Sequence, residues 1–130
     1  MEAEHPNAAA YRRAAAAFRA RDVQAIEALV DEEVVWHVPG RHQRAGDIRG
    51  RADLIAWLED IMTLGFTLRE HDVFASDQHV CALSYMGARR PGVEVETRVV
   101  SIFHFRAGRQ VERWFYPEDL EQWDRIFDTT

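Results

Sequence analysis

The feature that most constrains this chain is a change of hydrophobic period at Phe66. Before Phe66, apolar residues recur with the period of a helix. After it, they alternate along four stretches rich in β-branched and aromatic residues, as in half-buried strands. Only short segments join these stretches, so consecutive strands must be antiparallel neighbours. The predicted strands cover residues 66–75, 79–89, 93–105 and 110–116.

Three helices and one strand precede this meander, and one short helix follows it. Asn7 can cap an alanine-rich first helix and Asp22 a second, and Pro117 stands where a last helix can begin. This order predicts an α+β fold, in which helices cover one face of a curved antiparallel or mixed sheet. The predicted helices cover residues 8–21, 23–30, 51–64 and 117–127, and the first strand covers residues 34–38.

The composition narrows the possible functions. The 130 residues suffice for one domain, residues 1–130, with its own core. A net charge of −6 argues against a nucleic-acid partner, and no stretch is long and apolar enough to span a membrane. The lone cysteine, Cys81, cannot form an internal disulfide, and the acidic N-terminus is unlike a signal peptide. We therefore expect a cytoplasmic protein whose partner is a small organic molecule or another protein chain.

The strand over residues 93–105 is apolar on both faces in its second half. One face can pack under the helices, which leaves the opposite face exposed in this strand and the next. An apolar patch of that kind usually marks a partner surface. We expect a homodimer formed through the back of the sheet. The residues predicted to form this patch are Val100, Ile102, Trp114 and Tyr116.

The layout resembles the SnoaL-like and ketosteroid-isomerase-like members of the nuclear-transport-factor-two-like superfamily, over nearly the whole chain. The similarity is carried by "RAAAAFRARDVQAIEALVDEEVVWHVPG", "AGDIRGRADLIAWL", "HDVFASDQHVCALSYMGAR" and "VVSIFHFRAGRQVERWFYPED". It implies a cone-shaped domain with a pocket between sheet and helices, and often a dimer through the convex face. It does not imply one function, because the superfamily includes isomerases, cyclases, hydrolases, dehydratases and non-catalytic binding modules.

The familiar catalytic groups of these relatives are missing at the matching positions. By resemblance, Val38 stands where ketosteroid isomerases have their aspartate base, Ala14 where they have a tyrosine, and Ser101 where they have a protonated aspartic acid. Phe115 stands where SnoaL-type cyclases have their aspartate. The resemblance therefore implies the pocket without the usual steroid-isomerase or cyclase mechanism.

Strand alternation predicts an aromatic pocket with few polar groups, suited to a flat apolar ligand held by one or two hydrogen bonds. The same aromatic residues could instead simply fill the core. In the strand over residues 79–89 both faces are apolar, and we assign the face with Tyr85 to the pocket rather than the face with Ser84 and Met86. The predicted ligand-binding residues are Trp36, Val38, Trp57, Tyr85, Val99, Ser101, Phe103 and Phe115, with Thr97 beside them.

Arg113 is the most informative polar residue in this prediction. A buried guanidinium needs a carboxylate partner or an anionic ligand group, because an unpaired buried charge is costly. Asp72 or Glu70 could supply the carboxylate, in which case Arg113 is structural. Otherwise Arg113 could bind a carboxylate or enolate of a ligand, and both alternatives remain open at this point.

The histidines offer candidate bases but no metal site. His37 and His71 are the candidates, although alternation turns His37 away from Trp36 and Val38. No histidine or carboxylate spacing typical of a metal site is present, and no nucleotide or cofactor motif. The basic, glycine-rich segment 39–50 could be a pocket lid or an ordinary solvated loop.

The sequence thus predicts a domain that binds a small apolar molecule, without a cofactor, and leaves two functions open. One is an isomerase, cyclase or dehydratase that acts on a carbonyl compound by acid–base chemistry. Its catalytic residues would be Arg113 with His37 or His71 as base, and Ser101 and Tyr85 as hydrogen-bond donors. The other is a non-catalytic module for ligand binding or dimerisation.

Overall fold

Six strands form one mixed sheet, and four helices accompany it in the computed structural model, which describes residues 3–129. The sheet order is β2-β1-β6-β5-β4-β3, with β1 and β6 parallel and every other pair antiparallel. The predicted α+β class is confirmed. The elements are α1 Pro6–Arg19, α2 Val23–Glu27, β1 Val30–Val38, β2 Gly46–Arg49, α3 Arg51–Met62, β3 Phe66–Ala75, β4 His79–Arg90, β5 Val93–Arg106, β6 Arg109–Pro117 and α4 Leu120–Phe127.

The meander was predicted to within a residue or two at each end, but the first half of the chain needs corrections. Helix α2 ends at Glu27, and Val30 begins β1 instead of continuing the helix, where it pairs with Gln110 of β6. The cap of α1 is His5, whose Nδ1 accepts a hydrogen bond from the backbone N–H of Asn7. The predicted loop 39–50 contains the short edge strand β2, paired with β1.

The helices pack on one face of the sheet and form the core with it. Helix α1 lies against β3 and β4, α3 against β1 and β2, and α4 against β4 and β5. Alternation along β5 places Val95, Val99 and Phe103 on this inner face, and all three are buried, as the sequence predicts. Among the described residues, no helix is long and apolar enough to cross a membrane.

The opposite side of the sheet, here called the outer face, has apolar side chains at its centre. Two cross-strand rows run over it, one from Leu83 through Val100 to Tyr116 and one from Cys81 through Ile102 to Trp114. Tyr116 is 54% exposed, and the other residues of both rows are half-buried. The outer face therefore carries the four residues predicted to form the apolar patch, which are Val100, Ile102, Trp114 and Tyr116.

Candidate ligand-binding cavity

An apolar cavity lies between the inner face of the sheet and the helices. Its volume is about 60 Å³, and helices, strands β1, β3, β4 and β6 all contribute to its wall. Three of the lining residues have side chains with hydroxyl, amide or charged groups, and these are Tyr11, Gln110 and Arg113. Aliphatic residues form much of the remaining wall. The aromatic lining residues are Tyr11, Phe18, Trp36, Trp57, Phe66, Phe115, Trp123 and Phe127.

The size of the cavity limits what it can hold without rearrangement. An engineered apolar cavity of about 150 Å³ binds benzene, whereas one water needs about 10–15 Å³. The present volume, about 60 Å³, falls between these two values. Trp57, Phe66 and Leu68 line the cavity but are only half-buried, so the wall reaches solvent at α3 and β3. A one-ring ligand must therefore move side chains or extend toward this side.

The Arg113 guanidinium lies against this apolar wall, with 7% of the residue exposed. Its Nη2 donates a hydrogen bond to Ser101 Oγ at 2.9 Å, on the neighbouring strand β5. Its Cζ is 4.4, 4.4 and 4.0 Å from the ring centroids of Trp36, Phe103 and Phe115. Three aromatic rings and one hydroxyl thus hold the charge in place.

Neither acidic residue predicted as a partner forms an ion pair with Arg113. Both oxygens of Glu70 accept hydrogen bonds from Arg19 Nη1, at 3.1 and 2.9 Å, and Oε1 also accepts one from the Tyr11 hydroxyl at 3.4 Å. Burial is the largest influence on Arg113 and lowers its pKa to about 10, while the nearby Tyr11 and Glu70 act in the opposite direction. The guanidinium therefore remains charged at neutral pH.

Tyr11 is a functional candidate that the sequence interpretation missed. It lines the cavity from α1, and burial is the main cause that raises the pKa of its phenol. Tyr11 precedes Ala14 by about one helical turn, so it lies on the same face of α1 as the position where the related isomerases have their tyrosine. A protonated phenol beside a guanidinium can donate a hydrogen bond to a ligand oxygen.

Several polar atoms in the cavity wall have no hydrogen-bond partner within the described part of the chain. They are Trp36 Nε1, Gln110 Oε1 and Arg113 Nε. The three residues are 6%, 3% and 7% exposed, so bulk water does not reach most of their surface. Buried polar groups are usually hydrogen-bonded, which makes a group of three on one wall unusual.

The predicted ligand-binding residues divide into three groups. Trp36, Trp57 and Phe115 line the cavity. The prediction for Tyr85 is corrected, because β4 directs Met86 to the cavity and Tyr85 to the outer face. There, Arg69 Cζ lies 4.0 Å from the centroid of the Tyr85 ring. The last group is buried on the inner face without lining the cavity, and it consists of Val38, Thr97, Val99, Ser101 and Phe103.

The candidate bases His37 and His71 also lie outside the cavity. His37 is on the outer face, where Nδ1 is 2.8 Å from Asp47 Oδ1 and Nε2 is 2.5 Å from Glu112 Oε2. The hydrogen bond with Glu112 is the main cause that raises the pKa of His37. His71 is exposed in β3 beside Tyr85. Neither imidazole can reach a ligand bound between the sheet and the helices. The structure therefore corrects the prediction that His37 or His71 is the catalytic base.

The segment before β2 packs against α3 and α4 and fixes one side of the cavity. His42 is buried and stacks on Phe127, with ring centroids 4.3 Å apart. Arg44 pairs with Asp60 at 2.5 Å, and its carbonyl accepts a hydrogen bond from Trp57 Nε1 at 3.0 Å. This segment thus orients Trp57 in the cavity wall.

Within residues 3–129, no three His, Cys, Asp or Glu side chains come together in a way that could hold a metal ion. On the outer face, the exposed His79 stacks on the half-buried His104, with their ring centroids 5.4 Å apart. The cavity's own polar groups, Tyr11, Gln110 and Arg113, are suited to hydrogen bonding and to binding negative charge.

The sequence matches a known domain family. The family model described as the SnoaL-like domain matches residues 11–113, which include most of the cavity wall. No protein of curated function matches the sequence. Solved structures provide the remaining comparisons.

Three similar structures illustrate the range of this fold. Bal32a, from a soil-derived mobile gene cassette, is 30% identical, with 94% of this chain and 96% of that chain covered and a TM-score of 0.88. A nuclear-transport-factor-two-like protein from Burkholderia xenovorans is 19% identical, with coverages of 97% and 98% and a TM-score of 0.82. A Kribbella flavida protein, which its description proposes to be a ketosteroid isomerase, is 17% identical, with coverages of 88% and 78% and a TM-score of 0.74.

Proposed function

The chain belongs to the SnoaL-like domain family, and from this premise we propose that it binds a compact, mainly apolar small molecule in the cavity. The observation that carries the proposal is the cavity itself, an aromatic and aliphatic wall with a small number of polar groups on one side. Ligand sites typically combine an apolar wall with a few polar groups that fix orientation. The half-buried residues Trp57, Phe66 and Leu68 supply the adjustable side of the site.

Indole resonances provide a direct test, because the four tryptophans divide between the two faces. Trp36, Trp57 and Trp123 line the cavity, and Trp114 lies on the outer face. Titration with acetophenone, a compact aromatic carbonyl compound, should shift the Trp36 indole signal saturably and leave Trp114 unchanged. The absence of a saturable Trp36 shift at millimolar acetophenone, with no response to other one-ring compounds, would contradict the proposal.

A pair of alanines on α1 gives matched variants for the same titration. Ala14 lines the cavity, whereas Ala16 is exposed on the same helix. Ala14→Leu adds side-chain volume to the cavity and should weaken acetophenone binding at least tenfold. Ala16→Leu should leave the affinity within about twofold, since surface changes of this kind have small effects.

A second candidate function is an isomerase, cyclase or dehydratase acting on a carbonyl compound. It is supported by Arg113 and Tyr11, which could both donate hydrogen bonds to a carbonyl oxygen and stabilise negative charge that develops on it, Tyr11 by exchanging its 3.4 Å hydrogen bond to Glu70 for one to the ligand. The described lining residues include no histidine or carboxylate, so a base would have to come from the ligand or from water. For this reason the geometry supports binding more strongly than catalysis.

Exchange of the methyl protons of acetophenone with solvent deuterium distinguishes the two candidates. A catalyst would accelerate the exchange, and Arg113→Met would abolish the acceleration while the melting temperature stays within a few degrees. A binding module would shift the Trp36 resonance without accelerating exchange above the rate in buffer. The proposed binding would stand in either case.

We further propose that the protein is a cytoplasmic homodimer formed through the outer face. The support is the pair of apolar rows that ends at Tyr116 and Trp114, on the side of the sheet away from the packed helices. Two copies related by a twofold axis would bring the same rows together and bury them. The lone thiol of Cys81, half-buried on this face, agrees with a reducing compartment.

A further inference from the structure

The positive charge of Arg113 is not balanced by a neighbouring carboxylate in the described part of the chain. Within residues 3–129, no carboxylate forms an ion pair with it, and its side chain donates one hydrogen bond, to Ser101 Oγ at 2.9 Å. Glu70, the acidic group that acts on its pKa, is held in two hydrogen bonds by Arg19. Arg113 is only 7% exposed, yet no negatively charged group among the described residues is in contact with its guanidinium. Burying a charge without such a partner is costly.

The aromatic rings around Arg113 offset only part of this cost. Trp36 and Phe103 each lie 4.4 Å from Cζ, and Phe115 lies 4.0 Å from it. Such contacts attract the positive charge, but an aromatic ring is a poor acceptor for a guanidinium N–H. Nε of Arg113 has no hydrogen-bond acceptor among the described residues.

A second unpartnered donor lies beside the first. Trp36 Nε1, an obligatory donor, also has no acceptor in the described part of the chain. The Trp36 ring centroid is 4.4 Å from Arg113 Cζ, and both residues line the same cavity. Two buried N–H donors and a full positive charge therefore occur together on one wall.

We infer that the ligand of this cavity is a compact monocarboxylate, whose carboxylate accepts hydrogen bonds from Arg113 and Trp36 and whose apolar body lies against the aromatic wall. This inference rests on the proposed function and gives it a ligand class. A carboxylate supplies the missing negative charge and in-plane acceptors for the guanidinium fork. A doubly charged group would bring an excess charge that the remaining apolar wall cannot compensate.

Matched acid and amide pairs test the charge separately from the shape. Benzoate and benzamide share one shape, and butanoate and butanamide form a smaller pair that demands less widening of the cavity. At pH 7, we expect each carboxylate to bind at least tenfold more tightly than its amide, as measured by the Trp36 indole shift. Trp114 provides the internal control on the outer face.

Two variants assign the effect to the proposed donors. Arg113→Met should weaken benzoate binding at least tenfold and benzamide binding by a clearly smaller factor, so that the preference for the acid over the amide is lost. Trp36→Phe keeps a ring and removes the indole N–H, so it should weaken benzoate binding several-fold; here the Trp57 resonance serves as the reporter. Circular dichroism and melting temperature establish that each variant is folded.

The outcomes separate this inference from the proposed function. Equal binding of acids and amides, or unchanged benzoate affinity in folded Arg113→Met, would overturn the inference and leave a cavity that binds neutral molecules. If neither member of either pair binds, and acetophenone also fails, the proposed function is itself overturned. Tenfold preference for both carboxylates, lost in Arg113→Met, would support the inference.

Discussion

The Arg113 side chain hydrogen-bonds to Ser101 Oγ across 2.9 Å, and this is the one hydrogen bond of its side chain among the described residues. Both residues come from adjacent strands on the inner face, where Ser101 pairs with Phe115 and Arg113 with Phe103. Ser101 does not itself line the cavity. It is therefore a positioning residue that holds the guanidinium toward the cavity.

Ser101→Ala tests this relationship through stability. The change leaves a buried charged donor without its partner, which should lower the free energy of unfolding by about 1–3 kcal/mol. In an Arg113→Met background the same change should cost less than about 1 kcal/mol, because the donor is gone. Urea unfolding of the four proteins gives the double-mutant cycle. Equal costs of Ser101→Ala in both backgrounds would mean that the hydrogen bond contributes nothing.

His37 should give the stability a pH dependence. The hydrogen bond to Glu112, then that to Asp47, raises the pKa of His37 above its ordinary value, while burial opposes them. A pKa that is higher in the folded than in the unfolded protein contributes stability that is fully present below the unfolded pKa of about 6.5. That contribution disappears as the pH rises through the folded pKa. The stability of the wild type relative to His37→Gln should therefore fall with rising pH.

Proton NMR titration of the His37 ring checks this directly. Glu112→Gln should lower the pKa of His37, since the hydrogen bond with Glu112 is the largest single cause that raises it, and Asp47→Asn should lower it as well. Equal titration of His37 in the wild type and in both variants would contradict the account. These changes lie on the outer face, away from the cavity.

Gly65, between α3 and β3, should tolerate no side chain. Its φ is +71°, and an added Cβ would lie 2.0 Å from the backbone oxygen of Arg89. Gly92 has a similar φ of +81° with no atom within 4 Å of such a Cβ. Gly92→Ala should cost about 1–2 kcal/mol from backbone strain alone. Gly65→Ala should cost clearly more, and similar midpoints of urea unfolding for the two variants would contradict the predicted clash.

Tyr116 and Leu120 provide matched variants for the proposed dimer. Both are exposed apolar residues, at 54% and 53%, but Tyr116 lies on the outer face and Leu120 on α4. Tyr116→Glu would bury two carboxylates in the interface and should give a monomer by analytical ultracentrifugation. Leu120→Glu should remain dimeric. A wild-type protein that is monomeric at micromolar concentration would exclude the dimer.

Local pattern was sufficient to predict most of the fold. The alternation along β5 and β6 separates the inner from the outer face, because one face of each strand meets the helices. Local pattern could not decide where the same residues fit two kinds of secondary structure. Leu29 and Val30 fit the apolar face of a helix or the start of a strand, and pairing of Val30 with Gln110 across the sheet decides for the strand.

The site was harder to predict because its contacts are tertiary. Both faces of β4 are apolar, so the sequence could not decide between Tyr85 and Met86, and the position of the helices places Met86 inward. The composition of β3 suggested Glu70 as a partner for Arg113, but Arg19 on α1 binds it instead. The side of β4 that lines the cavity and the partner of Glu70 both depend on tertiary contacts, which a local sequence pattern does not contain.

A crystal structure of the protein grown with benzoate tests the proposed carboxylate site most directly. We expect the ring within the aromatic wall and a carboxylate oxygen about 2.7–3.2 Å from both Arg113 Nε and Trp36 Nε1. We also expect Ser101 to retain its hydrogen bond to Arg113. A cavity filled by its own side chains, with benzoate absent or bound only on the surface, would contradict the account.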